Sequence, residues 1–388
     1  MAQSETPKLA SYKRIILCVD GTWLASDIGD KAVATNAALI ARAISSTGTD
    51  ADGQIVNQIV SYHSGLGSGD LPFQKAIYGG IGWGLDHDVC QVYEFIADNY
   101  EPGDEIFFFG FSRGAFTVRS VAGLVCDVGV LSSVDMSRFA EMYSAYRANT
   151  GGEPFKSTVW YKDNEESLKL GREVRVKVVG VWETVGALAD EIQSAGDRGE
   201  IGNITFAWMV DNLSGMLTFE ENAINSIVEQ HQRALNSNRI PNGWGCGPIV
   251  SNFSGLQGAF FRLLGQQDRT PGEYPRDPGD GVDGATNEYF HPTVRIRRDK
   301  VKSWFPKPIQ GWDLKEPHGE IGWTWEKQGL QAIPEYAIRA ENMSLSYEEG
   351  GTVRYKVAKP LSRVLCPRDI MLDLDRDSKV SSQQLLDS

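Results

Sequence analysis

Glu105-Ile106-Phe107-Phe108-Phe109-Gly110-Phe111-Ser112-Arg113-Gly114-Ala115-Phe116 holds the decisive change of pattern in this chain. Its first seven residues form an apolar run, preceded by the turn residues Pro102-Gly103-Asp104. Such a run suits a strand buried on both faces. Residues 113–125 then switch to a helical pattern, so the change falls on Ser112. Gly110-Phe111-Ser112-Arg113-Gly114 matches G-x-S-x-G, a pentapeptide that recurs by chance. The strand before it and the helix after it give the match its meaning. On such a turn the serine takes strained backbone angles, and small neighbours let strand and helix approach closely. The hydroxyl projects from the end of the sheet, toward the free N–H groups of the helix N-terminus. The plain alternative is a glycine-rich turn whose serine caps the helix.

Outward from that point the first half alternates strand and helix. Residues 14–19 (RIILCV) read as a buried strand that ends at Asp20-Gly21-Thr22. Asn36 is placed to cap a helix over 37–44. A strand over 55–63, a glycine-rich loop over 65–69 and a helix over 89–100 follow. Beyond the serine, a polar helix is expected over 136–147 and a strand over 173–182. Strands separated by helices predict an α/β fold, with a mostly parallel sheet covered on its faces. The second half is less regular. Helices are expected over 204–213 and 219–235, long loops over 236–287, and strands over 293–297 and 352–357. An aromatic stretch over 255–265 interrupts the loops. One domain over 14–365 is expected, with the polar tails 1–13 and 375–388 disordered.

The chain has 388 residues and a formal net charge of −13, with a pI near 5.0. That balance argues against nucleic acid as a partner, because phosphate binding needs clustered Lys and Arg. Residues 1–13 lack the apolar core of a signal peptide, and no run is long and apolar enough to span a bilayer. A cytoplasmic protein is the default expectation, with peripheral membrane contact left open. Cys18, Cys90, Cys126, Cys246 and Cys366 are odd in number and widely spaced. They suggest neither a disulfide framework nor a zinc site. Oligomeric state is not encoded in any pattern.

A serine hydroxyl is a poor nucleophile without a base. The α/β-hydrolase arrangement implied by the G-x-S-x-G context orders its residues as Ser, then Asp or Glu, then His. That order leaves His231, His291 and His318. His231 lies in an expected helix, and His318 sits in a loop between Pro317 and Gly319. His291, in Tyr289-Phe290-His291-Pro292, is the chosen base against a structural histidine. Glu183, where the 173–182 strand ends, is the chosen acid, with Asp190, Asp197 and Asp211 as alternatives. The backbone N–H of Arg113 is one expected oxyanion donor, and the Gly21-Thr22 loop offers the second. Asp20 would support that loop or simply cap a turn. No cofactor or metal is required. A phosphatase built on D-x-D-G-T is disfavoured, because Cys18 stands at the position of its nucleophilic aspartate.

Cys18-Val19-Asp20-Gly21-Thr22-Trp23, Gly110-Phe111-Ser112-Arg113-Gly114-Ala115-Phe116, Val181-Trp182-Glu183-Thr184-Val185-Gly186 and Asn287-Glu288-Tyr289-Phe290-His291-Pro292 occur in one order. This set resembles the α/β-hydrolase family that includes the catalytic domain of bacterial type VI secretion phospholipase effectors, and most of all its fungal members. The resemblance runs from about residue 14 to about 298. It implies a Ser-Asp-His triad, with Ser112 carried over directly and His291 at the family's His-Pro segment. In the bacterial effectors it implies hydrolysis of phospholipid acyl esters, so a small-molecule or lipid ester is the expected substrate. Glu183 stands where the family has aspartate in W-D-T-V-G. The family's G-V-H-S-D-x-G-G-like strand is missing between Gly186 and Ile204-Thr205-Phe206-Ala207-Trp208-Met209. Two functions follow as expectations: an ester hydrolase, or a binding protein that keeps the fold and has lost its acid.

Overall fold

The computed structural model describes residues 8–21, 34–64, 85–182, 199–236, 240–249, 271–272, 288–318 and 322–383. The chain divides into two compact units. The first comprises Met1–Val185, Leu213–Ile224 and Ser344–Lys356, and the second Gly186–Asn212, Asn225–Met343 and Val357–Ser388.

In the first unit the apolar runs become one sheet of β1 (Leu9–Val19), β2 (Thr47–Thr49), β3 (Ile55–His63), β4 (Glu105–Phe111) and β5 (Arg175–Trp182). Their order is β2-β3-β1-β4-β5. β1 runs parallel to both β3 and β4, and β4 runs parallel to β5, while β2 is antiparallel at the edge. The helices α1 (Asn36–Ala43), α2 (Leu85–Asn99), α3 (Arg113–Val128), α4 (Phe139–Ala148) and α5 (Val159–Leu168) flank it. This is an α/β architecture with a mostly parallel central sheet. Ile15, Leu17, Ile106 and Phe108 pack into one core with residues of α2 to α5. Their neighbours Ile16, Cys18, Phe107 and Phe109 point to the opposite face by strand alternation and are equally buried. Burial on both faces explains why the sequence shows runs instead of alternation. Each such phenylalanine contributes about 1.5–3 kcal/mol relative to exposure.

The register sets the position of the site. Val19 lies opposite His63 on one side and Gly110 on the other, and Gly110 lies opposite Val181. These four residues form one row at the carboxyl ends of the parallel strands, and Ser112 lies two residues past that row. A smaller sheet joins Thr218–Glu220 in parallel to Met343–Glu349, which also pairs with Thr352–Ala358. Gln58 ties it to the main sheet, donating to the carbonyls of Ser45 and Thr218 and accepting from the Thr218 N–H.

The second unit contains α6 (Glu200–Asn212), most of α7 (Glu221–Leu235), α8 (Pro292–Lys300), α9 (Leu361–Leu365) and α10 (Arg368–Gln383). It also holds an antiparallel sheet of Asp313–Lys315, Thr324–Glu326 and Ile333–Pro334. One core gathers Phe290, Trp312 and Trp325, and another gathers Ile204, Trp244, Ile338 and Cys366.

Several elements differ from expectation. Residues 293–297, expected as a strand, lie inside α8. Pro292 stands in its first turn and the His291 side chain caps it, and these two signals outweigh the apparent alternation of the segment. The expected helix at 219–235 starts at Glu221, after the short strand. The polar segment from Asp375 lies in α10, whose Ile370, Met371 and Leu374 pack against the second core. Extended structure starts at Leu9, within the segment expected to be a tail. Thr35, not Asn36, caps α1 by accepting from the Ala38 N–H. Among the described residues no helix is long and apolar enough to cross a membrane.

Candidate functional site

The switch from strand to helix falls on Ser112. Ser112 follows β4 directly and occupies φ 53° and ψ −117°, at the N-cap of α3. Among the described non-glycine residues, only Ser112 and Lys169 have positive φ. A serine gains nothing from glycine's freedom there, so the surrounding structure must hold it in place. Its N–H donates to the Trp182 carbonyl at 2.9 Å, which ties the turn to the end of β5. The Ala115 N–H donates to the Ser112 carbonyl, opening the helix. Arg113 and Gly114 are the first two residues of that helix, whose leading N–H groups have no intrahelical acceptor. Ser112 itself is partly exposed.

Both glycines of the motif are sterically required. A Cβ on Gly110 would lie 2.6 Å from Ala115 Cα, and one on Gly114 would lie 2.2 Å from the Val19 carbonyl oxygen. Gly114 is therefore the point where α3 crosses the end of β1. The turn after β1 is brought to the serine in the same way, since a Cβ on Gly21 would lie 2.9 Å from Ser112 Cβ.

Asp20 holds this turn. It is 2% exposed, and its carboxylate accepts the Tyr62 hydroxyl at 2.5 Å and the Thr35 hydroxyl. Its own N–H donates to the His63 carbonyl at 3.0 Å. Burial pushes the Asp20 carboxyl above the usual range, opposed by the two hydroxyls, the Arg42 charge and the Gly21 N–H. Asp20 thus fixes the end of β1 to β3 and to the start of α1. On α2, Asp88 faces the Arg113 guanidinium. Burial pushes the Asp88 carboxyl up to about 6, and the Arg113 charge acts against that rise.

His63 ends β3 on the row described above. Its Nε2 lies 3.1 Å from Ser61 Oγ, its ring meets Phe95 edge-on, and burial lowers its pKa. His87 stands on α2, and burial lowers its pKa as well. Chain order set both histidines aside at the level of sequence, and the structure places both in the same unit as Ser112.

His291 belongs to the second unit. It is the N-cap of α8, with Nδ1 2.9 Å from Thr293 Oγ1 and 3.3 Å from the Thr293 amide nitrogen. Its ring stacks on Tyr336 at 6.2 Å and lies tilted against Trp244 at 6.0 Å. Nε2 is buried and has no hydrogen-bond partner among the described residues. Burial lowers the His291 pKa to about 4.

The alternatives are occupied differently. His231 Nε2 donates to the Leu365 carbonyl at 2.9 Å, binding α7 to α9. Asp211 accepts the N–H groups of Leu361 and Ser362 at 2.6 and 2.9 Å and so caps α9. His318 is exposed. Thr22, Glu183, Asp190, Asp197, the 65–69 loop and the 255–265 stretch lie outside the described residues.

An uncharacterized protein of Saccharomyces cerevisiae is 27% identical over 212 residues, which is 50% of this chain and 30% of the yeast protein. The chain thus covers less than a third of that relative's length. No solved structure matches it. The family model described as the phospholipase effector Tle1-like catalytic domain of the type VI secretion system matches residues 13–238, more than half of the chain. It takes in the strand–serine–helix turn and the row of strand ends beside it, and the chain belongs to this family of Tle1-like phospholipase effector catalytic domains.

Proposed function

We propose that the chain is a serine hydrolase of the α/β-hydrolase type that cleaves an acyl ester, with a phospholipid or other lipid ester as substrate. The observation that carries this reading is Ser112 held at φ 53° between a buried strand and the first turn of a helix. A side chain kept in such a conformation signals a role that an ordinary cap would not need. The family's phospholipase description supports a lipid ester.

In this reading Ser112 Oγ attacks the ester carbonyl carbon and gives its proton to the His291 imidazole. The carbonyl oxygen becomes an oxyanion, stabilised by the Arg113 N–H and by an amide of the Gly21-Thr22 loop. The tetrahedral intermediate expels the alcohol, which takes the proton back from His291. Water then attacks the acyl-serine, again losing a proton to His291, and collapse releases the carboxylic acid and free Ser112. Asp20 supports the loop. Glu183 is the carboxylate that the sequence offers to orient the histidine. The chemistry requires neither metal nor cofactor.

A fluorophosphonate probe tests the proposal. Labelling of the wild type that is lost in Ser112→Ala, together with hydrolysis of a short acyl ester, is the expected result. Absence of both would leave a binding protein that has kept the fold. Alanine variants of His63, His87, His231, His291 and His318 identify the base. Retained activity in His291→Ala would remove it from that role.

A further inference from the structure

The turn after β1 carries a buried carboxylate where none is needed to cap a helix. Burying a carboxylate is costly unless its oxygens are hydrogen-bonded. Asp20 is 2% exposed, and three donors converge on it: the Thr35 hydroxyl, the Tyr62 hydroxyl at 2.5 Å and the Gly21 N–H. Capping of α1 does not account for the arrangement. The Thr35 hydroxyl accepts the Ala38 N–H at 3.1 Å and directs its own proton to Asp20.

Tyr62 reaches the carboxylate from the neighbouring strand, where it lies opposite Cys18. The contact has the length of a charge-assisted O–H···O⁻ bond, about twice as strong as one between neutral groups. The backbone adds the Asp20 N–H, donated to the His63 carbonyl at 3.0 Å. From the other side α3 closes on the same strand end. A Cβ on Gly114 would lie 2.2 Å from the Val19 carbonyl oxygen and 2.7 Å from that of Asp20. Between these two grips the next residue, Gly21, is held against Ser112. All of these residues belong to the first unit.

We propose that Tyr62 is a positioning residue for the reaction at Ser112: through the Asp20 carboxylate its hydroxyl sets where the Gly21 turn stands against the serine, and so the side on which the oxyanion is stabilised. The proposal rests on the reading of Ser112 as nucleophile and deepens it. Tyr62 acts through Asp20, not on the reacting atoms. Its loss misplaces a contact that matters in the transition state, so it lowers kcat and leaves KM in place.

Tyr62→Phe in the full-length chain tests this, with Tyr93→Phe as control. The Tyr93 hydroxyl donates to the Gly129 carbonyl at 2.8 Å and accepts the Leu131 N–H at 3.0 Å, at the far end of α3 from Ser112. Both variants lose a tyrosine hydroxyl bonded within the first unit, and only Tyr62→Phe should affect the reaction. Rates are measured on a short acyl ester, with active enzyme counted by end-point fluorophosphonate titration. Tyr62→Phe should lower kcat about tenfold at unchanged KM. It should weaken by the same factor an alkyl boronic acid, whose tetrahedral adduct on a serine places a hydroxyl at the oxyanion position. Tyr93→Phe should keep wild-type values. Thr35→Ala removes the other hydroxyl from Asp20 and should lower kcat in the same sense, so the test stands even if Tyr62→Phe folds poorly. Wild-type kcat and boronate affinity in Tyr62→Phe, or equal losses in Tyr93→Phe, alongside an inactive Ser112→Ala, would refute the role of Tyr62 and leave the hydrolase reading intact. A wild type that neither labels nor hydrolyses would end that reading, and the positioning role with it.

Discussion

Gly21 and Ser112 touch so closely that a methyl group on Gly21 would lie 2.9 Å from Ser112 Cβ. Carbon atoms that are not bonded do not approach this near, so the turn after β1 forms one wall around the serine. Gly21→Ala must therefore push either the turn or the serine by several tenths of an ångström. The contacts that hold Asp20 to Thr35 and Tyr62 are untouched by the change, so the fold should survive. With Ser112 as the proposed nucleophile, hydrolysis would depend on sub-ångström placement, and kcat/KM should fall about tenfold to a hundredfold. Parallel kinetics and thermal melts check this. Unchanged kcat/KM would remove the turn from the reaction.

Gly114 and Gly123 both lie in α3 and separate packing from helix propensity. The three atoms nearest a Cβ on Gly114 are all backbone, at 2.2 to 2.7 Å from Val19 and Asp20, and backbone cannot swing aside. Gly114→Ala should destabilise the chain by roughly 3 kcal/mol or more, at or beyond the upper end of ordinary overpacking. A Cβ on Gly123 meets only the Tyr146 hydroxyl, at an ordinary 3.6 Å. Gly123→Ala should stabilise by about 0.5–1 kcal/mol, because glycine costs a helix that much. Urea titration of both variants reads the difference, and equal midpoints would contradict the close crossing of α3 over β1.

The backbone at Ser112 stores strain that glycine would not feel. Ser112→Gly should raise stability by about 1 kcal/mol, the lower range for a residue forced into such a region. Ser112→Ala keeps the Cβ and should leave stability nearly unchanged. Both should abolish labelling by a fluorophosphonate. This opposition of stability and reactivity is expected where a strained residue serves function. If Ser112→Gly were less stable than Ser112→Ala, the turn would not be strained in solution.

How far the sequence revealed this molecule depended on which signals were local. The run 105–111 and the glycines around Ser112 encode a buried strand and a close strand–helix crossing within one short segment, and both were legible. The role of Gly21 was legible as a loop, while its contact with Ser112 depends on β1 and β4 being neighbours. The α8 helix is hidden in the sequence because Val294, Ile296 and the intervening arginines alternate like a strand, while the helix start rests on the single Pro292 and the His291 cap. His63 was set aside by a rule about chain order, yet strand register places it on the row beside the serine turn. Thr293 carried no motif of its own. Its part in the His291 cap appears only through the contacts of its N–H and hydroxyl with Nδ1.

His231 offers a test of burial by pH. The residue is 1% exposed, its Nε2 donates to the Leu365 carbonyl, and burial lowers its pKa to about 4. In the unfolded chain a histidine titrates near 6.5. Between those values the unfolded state binds a proton that the folded state refuses, so acidification favours unfolding. The stabilising difference is full above about pH 6.5 and is lost progressively toward about pH 4, by up to about 3 kcal/mol. Buried carboxyls such as Asp88 and Asp211, whose pKa values burial raises, act in the opposite sense over an overlapping range. The histidine is therefore isolated by difference. His231→Gln keeps a donor for the Leu365 carbonyl but cannot titrate. Wild type minus variant stability, measured by urea unfolding at several pH values, cancels the carboxyls and should shrink steadily as pH falls from about 6.5. A difference that stays flat across that interval would mean that Nδ1 accepts a proton in the folded state, and that burial does not penalise the charged ring.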